Sequence, residues 1–230
     1  MLAEGLRGFV NPGEIVALPA VLGIDNHSEV LADFKKILGA EVFEIASLPP
    51  CVPGMRLNNK LVATAKNERV DYVLGSKVTG CTVADGKVVS VTVGTAGAGK
   101  EIKADAVVLA GGGFESGALK LDSHGHLHET ILDLPVTMPE GVKEEDLIHG
   151  DYWGSPQPLF LCGVEVDETM LVTYQGKPVH SNVYAAGGVI AGATRWQEKS
   201  GEGIALGSAI KAADAILSSV GAGAATKERN

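Results

Sequence analysis

The spacing of apolar positions in the first part of the chain is typical of alternating strands and helices. Residues 14–18 form a short apolar run that predicts a strand, and residues 41–46 form a second. Between them, residues 29–38 carry apolar side chains at helical spacing, and Gly39 follows as a stop signal. This order predicts a β-α-β unit with a parallel pair of strands. A further helix is predicted over residues 55–68.

The apolar pattern changes to an alternating, strand-like period after residue 69. Asp85 and Gly86 form a typical hairpin turn within this stretch. The pattern predicts a β-meander with strands over residues 70–74, 77–83, 87–93 and 101–103. The later residues 115–181 are rich in proline and predict loops and short strands. A segment this irregular inside a compact domain is often functional.

Two short apolar runs stop abruptly at glycines, about 75 residues apart. Such runs are typical of buried parallel strands, and glycine at their carboxyl ends lets a backbone or a ligand approach closely. In open α/β sheets, the crevice at these ends binds nucleotides. The pattern therefore predicts one shared cofactor crevice, lined by Gly111, Gly112, Gly113, Gly187 and Gly188.

A long helix is predicted over residues 203–219. Its N-terminus would offer free N–H groups to an anion or a carbonyl, and the alternative is a tight loop before a packed helix. The residues at this N-terminus are Gly201, Glu202, Gly203 and Ile204. Two apolar stripes predict the face against a sheet: Leu206, Ile210, Ala213 and Leu217, and beside them Ala205, Ala209, Ala212 and Ile216. Ser208 belongs to the predicted polar face.

Composition narrows the class of protein. The 230 residues are 45% apolar with 30 glycines, which favours a globular α/β fold, and the net charge of -9 argues against a nucleic-acid surface. The three cysteines are scattered, so neither a disulfide framework nor a thiolate zinc site is expected. No apolar stretch approaches the roughly 20 residues of a membrane span. We divide the chain into residues 1–68, residues 69–220 with the insert 115–181, and a flexible tail over 221–230.

Three further features have two interpretations each. His124, His126 and His128 alternate and could ligate a metal, but their polar neighbours favour a solvated loop, and no metal site is predicted. Arg56 follows a loop rich in proline at a helix start, where its charge opposes the dipole. It either binds a phosphate or another anion, or is an ordinary surface arginine. The same alternatives apply to Arg195. No residue is identified as a catalytic acid or base.

Taken together, these motifs resemble the flavoprotein subunits of fumarate reductase and succinate dehydrogenase. More narrowly, the chain is similar to the B-subunit family of anaerobic glycerol-3-phosphate dehydrogenases. The wider resemblance is carried by the β-meander, the two glycine-rich runs and Gly201-Glu202-Gly203. The narrower one is carried by residues 48–57, 114–117, 131–134, 150–158 and 163–169.

The resemblance implies a two-dinucleotide-fold flavoprotein with FMN or FAD as its cofactor. It implies oxidation of glycerol 3-phosphate to dihydroxyacetone phosphate, with electrons passed toward quinone in anaerobic respiration. The implied partners are a second flavoprotein subunit and an iron–sulfur membrane-anchoring subunit, in a cytoplasmic complex peripheral to the inner face of the membrane. A fumarate-reductase-like oxidoreductase and a non-catalytic scaffold with a vestigial or structural flavin site are alternatives.

Members of this family begin with a strand, G-x-G-x-x-G and a helix, which hold the phosphates of the cofactor. Residues 1–60 contain no such pattern. We therefore expect the chain to be a C-terminal part and an incomplete enzyme that binds flavin weakly on its own.

Overall fold

A computed structural model describes residues 2–46, 51–94, 99–151 and 154–227. The chain divides into two compact units, residues 1–74 and 75–230, whereas we predicted the boundary after residue 68. Parts of the segments that carry the resemblance, residues 48–50, 152 and 153, lie outside the described residues. The loop that precedes Arg56 is also only partly described.

The first unit contains the predicted β-α-β arrangement. Its elements are α1 (Leu2–Arg7), β1 (Ile15–Pro19), α2 (His27–Leu38), β2 (Glu41–Ile45) and α3 (Val52–Asn67). The two strands are parallel, with Val16 beside Val42, as predicted. Helix α2 ends at Gly39, whose φ of 78° is left-handed and whose N–H donates to Lys35 O. The core of the unit consists of Ala3, Leu22, Phe34, Leu38 and Val42.

Two predictions in this unit are corrected. Helix α3 begins at Val52 rather than at residue 55, because Pro53 is compatible with the first turn of a helix. Residues 70–74 form no strand. Instead, Val70 N donates to Ala65 O at the end of α3, and Val73 and Leu74 are exposed. Alternating apolar residues form a strand only where a neighbouring strand supplies hydrogen-bond partners.

The second unit contains the predicted meander, a second parallel pair of strands and a long helix. Its strands are β3 (Lys77–Ala84), β4 (Lys87–Gly94), β5 (Lys100–Lys103), β6 (Val107–Leu109), β7 (Leu119–Leu121), β8 (Leu127–Glu129), β9 (Glu165–Val166), β10 (Val172–Tyr174), β11 (Lys177–Pro178) and β12 (Val183–Ala185). Its helices are α4 (Arg195–Glu198) and α5 (Gly201–Lys227). The backbone of α5 therefore continues into the stretch that we predicted as a flexible tail.

The meander is antiparallel, in the order β3-β4-β5. Its hairpin turn is the predicted one, with Asp85 at a φ of 49° and Gly86 at 72°, as a tight two-residue turn requires. Asn182, just before β12, hydrogen-bonds to β4. Its side chain accepts a hydrogen bond from Val88 N at 2.9 Å and donates to Val88 O at 2.8 Å.

The core of the second unit gathers apolar residues from the meander, the insert and the parallel pair. Its members are Val88, Leu109, Leu119, Leu132, Leu134, Val164, Val172, Val183, Ala185 and Val189. A carboxylate is also buried in this region. Glu129 is 2% exposed and accepts backbone hydrogen bonds from Ile131, Leu132 and Leu134. These bonds hold the chain where it turns out of β8.

Helix α5 buries only part of the predicted apolar stripes. Ala212 of the second stripe is buried, but Leu206 and Ile210 of the first are 52% and 61% exposed, and Ser208 of the predicted polar face is buried. The reason is a hydrogen bond: Ser208 Oγ accepts the N–H of Gly187 at 2.9 Å and so lies against the turn after β12. Among the described residues, no helix combines the length and the apolar character needed to cross a membrane.

Candidate functional site

The two glycine-rich ends predicted from the sequence lie next to each other. Strands β6 and β12 pair in parallel, with Val107 beside Val183 and Leu109 beside Ala185. The N–H of Ala186 donates to Leu109 O at 2.9 Å and extends the pairing beyond β12. Because the strands are parallel and in register, their carboxyl ends and the glycines that follow lie at the same edge.

The glycines at this edge differ in what surrounds them. A Cβ on Gly111 would lie 2.6 Å from Ile131 Cδ1, so this glycine permits close packing. Gly112 has a left-handed φ of 83°. A Cβ on Gly113 would lie 3.0 Å from Arg195 Nη2, and one on Gly188 would lie 2.8 Å from Arg195 Nη1. Gly113 and Gly188 therefore make room for the guanidinium of Arg195.

Arg195 is the side chain that joins the elements of the site. Its Nη2 donates to Glu115 Oε2 at 2.6 Å, and its Nη1 donates to Gly188 O at 3.4 Å. The guanidinium carbon lies 4.9 Å from the ring centroid of Phe160, in cation–π geometry. The Arg195 side chain is 21% exposed and that of Glu115 is 60% exposed. A planar cation is thus held at the strand ends with one exposed carboxylate as its partner.

The start of α5 adjoins the same arginine. Residues Gly201–Ile204 are the first turn of the helix itself, and Ile204 N donates to Ser200 O at 2.8 Å. A Cβ on Gly201 would lie 3.8 Å from Arg195 Cβ, whereas nothing lies within 4 Å of a Cβ on Gly203. Gly203 is therefore not required by packing among the described residues, and the space beside it is open.

Arg56 belongs to the first unit and is engaged there. Its Nε and Nη2 donate to Gly23 O at 2.8 and 2.6 Å, and its Nη1 and Nη2 donate to the two carboxylate oxygens of Glu44. The two side chains are only 13% and 8% exposed. Hydrogen bonding from Arg56 holds the pKa of Glu44 below its usual range. The ion pair with Glu44 by itself accounts for an arginine at position 56. Binding of an anion by Arg56 stays a prediction.

The alternating histidines surround one carboxylate. Asp122 Oδ1 accepts the backbone N–H groups of His124 and His126, and Asp122 Oδ2 lies 3.0 Å from His128 Nε2. These contacts, led by that with His128, lower the pKa of Asp122 well below its usual range. In the described part of the chain, no group of three or more His, Cys, Asp or Glu side chains is placed to hold a metal ion.

Three contributors to the site were missed from the sequence. Glu115 and Phe160 lie in the insert, and neither has a motif that would link it to Arg195. Ser208 was assigned to the polar face of α5 because a hydroxyl at helical spacing gives no sign of a buried partner. The short distance along the sequence between Arg195 and Gly201 could have suggested that the arginine lies at the helix start.

The family of the chain follows from a comparison with known proteins. Residues 1–204 match the family described as "FAD binding domain". The chain belongs to this family. The predicted flavin cofactor is thereby confirmed, and the family indicates FAD.

Curated relatives confirm the narrower resemblance. The B-subunit of a probable anaerobic glycerol-3-phosphate dehydrogenase of Halobacterium salinarum is 30% identical over 222 residues, which is 95% of this chain and 51% of that protein. The corresponding B-subunit of Actinobacillus pleuropneumoniae is 28% identical over 94% of this chain and 50% of that protein. The chain therefore spans about half the length of the curated relatives it matches. Thioredoxin reductase of T. acidophilum, a solved structure, shares 17% identity over 95% of this chain and 56% of that chain, with a TM-score of 0.22.

Proposed function

We propose that this chain is part of a flavin-dependent dehydrogenase subunit that oxidises glycerol 3-phosphate to dihydroxyacetone phosphate. The observation that carries the proposal is the edge formed by β6 and β12, where Arg195 and the start of α5 lie together. The match to the FAD-binding family and the names of the curated relatives support it.

The residues at this edge fit a flavin. Ahead of Ile204, whose N–H donates to Ser200 O, the N–H groups of the first turn of α5 have no acceptor within the helix, and the open space beside Gly203 leaves room for an electron-rich ring or phosphate. We assign Gly201, Glu202, Gly203 and Ile204 to this contact, with Gly111, Gly112, Gly113, Gly187 and Gly188 shaping the edge. Acceptance of a hydride is the chemistry that a flavin supplies when bound.

Arg195 is the residue of this chain that we assign to the anionic group of the substrate. Its guanidinium is always charged and presents paired donors that suit a phosphate. Phe160 and Gly188 O hold it in place, so little freedom is lost when an anion binds. Arg56 remains a second candidate for a phosphate, within the first unit.

The relatives are named as subunits, and this supports a multi-subunit complex. We propose a second flavoprotein subunit and an iron–sulfur membrane-anchoring subunit as partners. Electrons would then pass toward quinone at the inner face of the membrane, while this chain stays peripheral.

Anaerobic reduction of FAD, added in excess because the chain is expected to bind it weakly, tests the proposed reaction. Glycerol 3-phosphate should bleach the visible absorbance of the flavin, whereas succinate should not. Reoxidation of the reduced flavin by fumarate would instead support the fumarate-reductase-like alternative. Retention of FAD that neither glycerol 3-phosphate nor fumarate affects would indicate a scaffold with a structural flavin.

A further inference from the structure

The ion pair at the candidate site is asymmetric. The Arg195 guanidinium lies over Phe160 and donates to Gly188 O at 3.4 Å, the start of α5 adjoins its aliphatic stem, and its side chain is 21% exposed. Glu115 reaches it from the solvent side, with 60% of its own side chain exposed. The Glu115 carboxylate can therefore turn into solvent, whereas the guanidinium is largely enclosed by its neighbours.

The backbone around Glu115 is fixed, so that departure of the carboxylate needs only a rotation of its side chain. Ser116 Oγ lies 2.6 Å from Gly111 O and 3.0 Å from Gly113 O, and its single O–H donates to this pair of carbonyls. The N–H groups of Ala118 and Leu119 also donate to Gly113 O. The side chain of Glu115 can thus rotate, whereas hydrogen bonds fix the loop that carries it.

We infer that Glu115 is a displaceable internal anion that competes with phosphate ligands for the guanidinium of Arg195. The inference deepens the proposed function, on which its choice of a phosphate monoester as ligand rests. Glu115 Oε2 lies 2.6 Å from Nη2, in the position that a phosphate oxygen would take. A ligand must displace it, so the apparent Kd equals the intrinsic Kd divided by the fraction of molecules in which the pair is open.

This competition gives Glu115 a role in specificity. A carboxylate ligand would offer Arg195 the same charge and the same kind of oxygen that Glu115 already supplies. A phosphate monoester carries nearly two negative charges and three acceptor oxygens at neutral pH. Only an anion that binds the guanidinium more strongly than a carboxylate does would then occupy the site at low concentration.

Calorimetric titration of the 230-residue chain with inorganic phosphate, without flavin, tests this inference. Glu115→Gln should lower the Kd for phosphate about threefold to tenfold, because a neutral amide competes less well for the guanidinium. Glu115→Asp has a side chain one methylene shorter, and its Kd for phosphate should fall between those of Glu115→Gln and the parent chain. Arg195→Gln should abolish binding, and Arg195→Lys should weaken it.

Glu41→Gln is the matched control, because Glu41 also forms an exposed ion pair of 2.6 Å, with Lys35. It should leave the Kd unchanged, and the melting temperature of each variant checks its folding. An unchanged or higher Kd in Glu115→Gln would overturn the inference, as would unchanged binding in Arg195→Gln. Since no flavin is present, tighter binding in Glu115→Gln would stand even where glycerol 3-phosphate failed to reduce FAD.

Discussion

Arg56 shows how the same residue can suggest a ligand in the sequence and form an internal ion pair in the fold. The sequence places it after a loop rich in proline, near a helix start. In the structure it lies in the second turn of α3, beyond the strongest influence of the helix dipole. Its donors reach Glu44 and Gly23, more than ten and more than thirty residues away. Partners this far apart along the chain leave no pattern that a single sequence reveals.

The buried ion pair in the first unit gives the first prediction. Glu44→Gln should lower the free energy of unfolding by about 1–3 kcal/mol at neutral pH, because the Arg56 guanidinium loses a charged acceptor. The pKa of Glu44 is lowered in the folded chain, so its contribution is present above the unfolded pKa of about 4.3 and is lost as pH falls through the folded value. Urea unfolding at several pH values should show the difference shrinking in acid.

Glu41→Gln serves as the control for this measurement. Glu41 is on the same strand and pairs with Lys35, but its side chain is 72% exposed. Its replacement should change stability by less than about 1 kcal/mol. Equal effects of the two substitutions would contradict a stabilising role for the buried pair. A loss of phosphate affinity in Arg56→Lys with unchanged stability would favour the anion-binding interpretation instead.

The second prediction concerns Glu129, a buried carboxylate with no role in the candidate site. Glu129→Gln should lower the free energy of unfolding by about 1–3 kcal/mol, since an amide nitrogen would face backbone N–H groups that now donate to an oxygen. Thermal unfolding followed by circular dichroism measures the loss. Glu140→Gln, an exposed change in the same unit, should be neutral. A melting temperature of Glu129→Gln equal to that of the control would show that these hydrogen bonds add little.

At the scale of elements, the sequence predicted best where one local signal was sufficient. The hairpin at Asp85 and Gly86, the end of α2 at Gly39 and the parallel pair β1 and β2 were all predicted and are present. The strand predicted over residues 70–74 is absent because a strand needs hydrogen-bond partners from a neighbouring strand. The alternation of apolar residues does not show whether such a neighbour exists. The buried side of α5 was predicted only in part: Ala212 of the second stripe is buried, but the hydrogen bond from Gly187 to Ser208 places Ser208 there instead of Leu206 and Ile210.

The start of α5 gives the third prediction. The space beside Gly203 is open, so Gly203→Ala should leave the fold intact. It can raise the free energy of unfolding by up to about 1 kcal/mol, because alanine has a higher helix propensity than glycine. If the space belongs to FAD, Gly203→Val should raise the Kd for FAD about tenfold or more, which corresponds to about 1.4 kcal/mol. Quenching of FAD fluorescence on titration with the chain gives both affinities.

Ala213→Val, on an exposed position farther along α5, is the control for added bulk. It should leave the Kd for FAD as it is in the parent chain. An unchanged Kd in Gly203→Val would place the flavin away from this turn. Unfolding of Gly203→Val would be visible as a lowered melting temperature, and Gly203→Ala then reports on the site.

At the scale of the whole molecule, each unit has its own apolar core and also exposes large apolar side chains. In the first unit, Ile15, Phe43 and Ile45 are at least half exposed on one face of β1 and β2. In the second, Leu206, Ile210 and Leu217 are exposed along α5. Parallel strands are usually covered on both faces. The sequence predicted apolar strands in the first unit and apolar stripes on α5, but it could not show which of these side chains the folded chain covers.

The exposed stripe of α5 gives the last prediction. Apolar surface of this kind binds hydrophobic dyes and favours self-association, while the net charge of -9 opposes association through repulsion. The chain should therefore bind the dye ANS, and added salt should increase its sedimentation coefficient by screening the charge. Replacing Ile210 and Leu217 together by Gln should reduce both effects without lowering the melting temperature, because neither side chain is buried. Lys211→Gln, a polar change between them, should leave ANS emission unaltered. If the double variant binds ANS as strongly as the parent chain does, the dye site lies elsewhere and this stripe does not drive association.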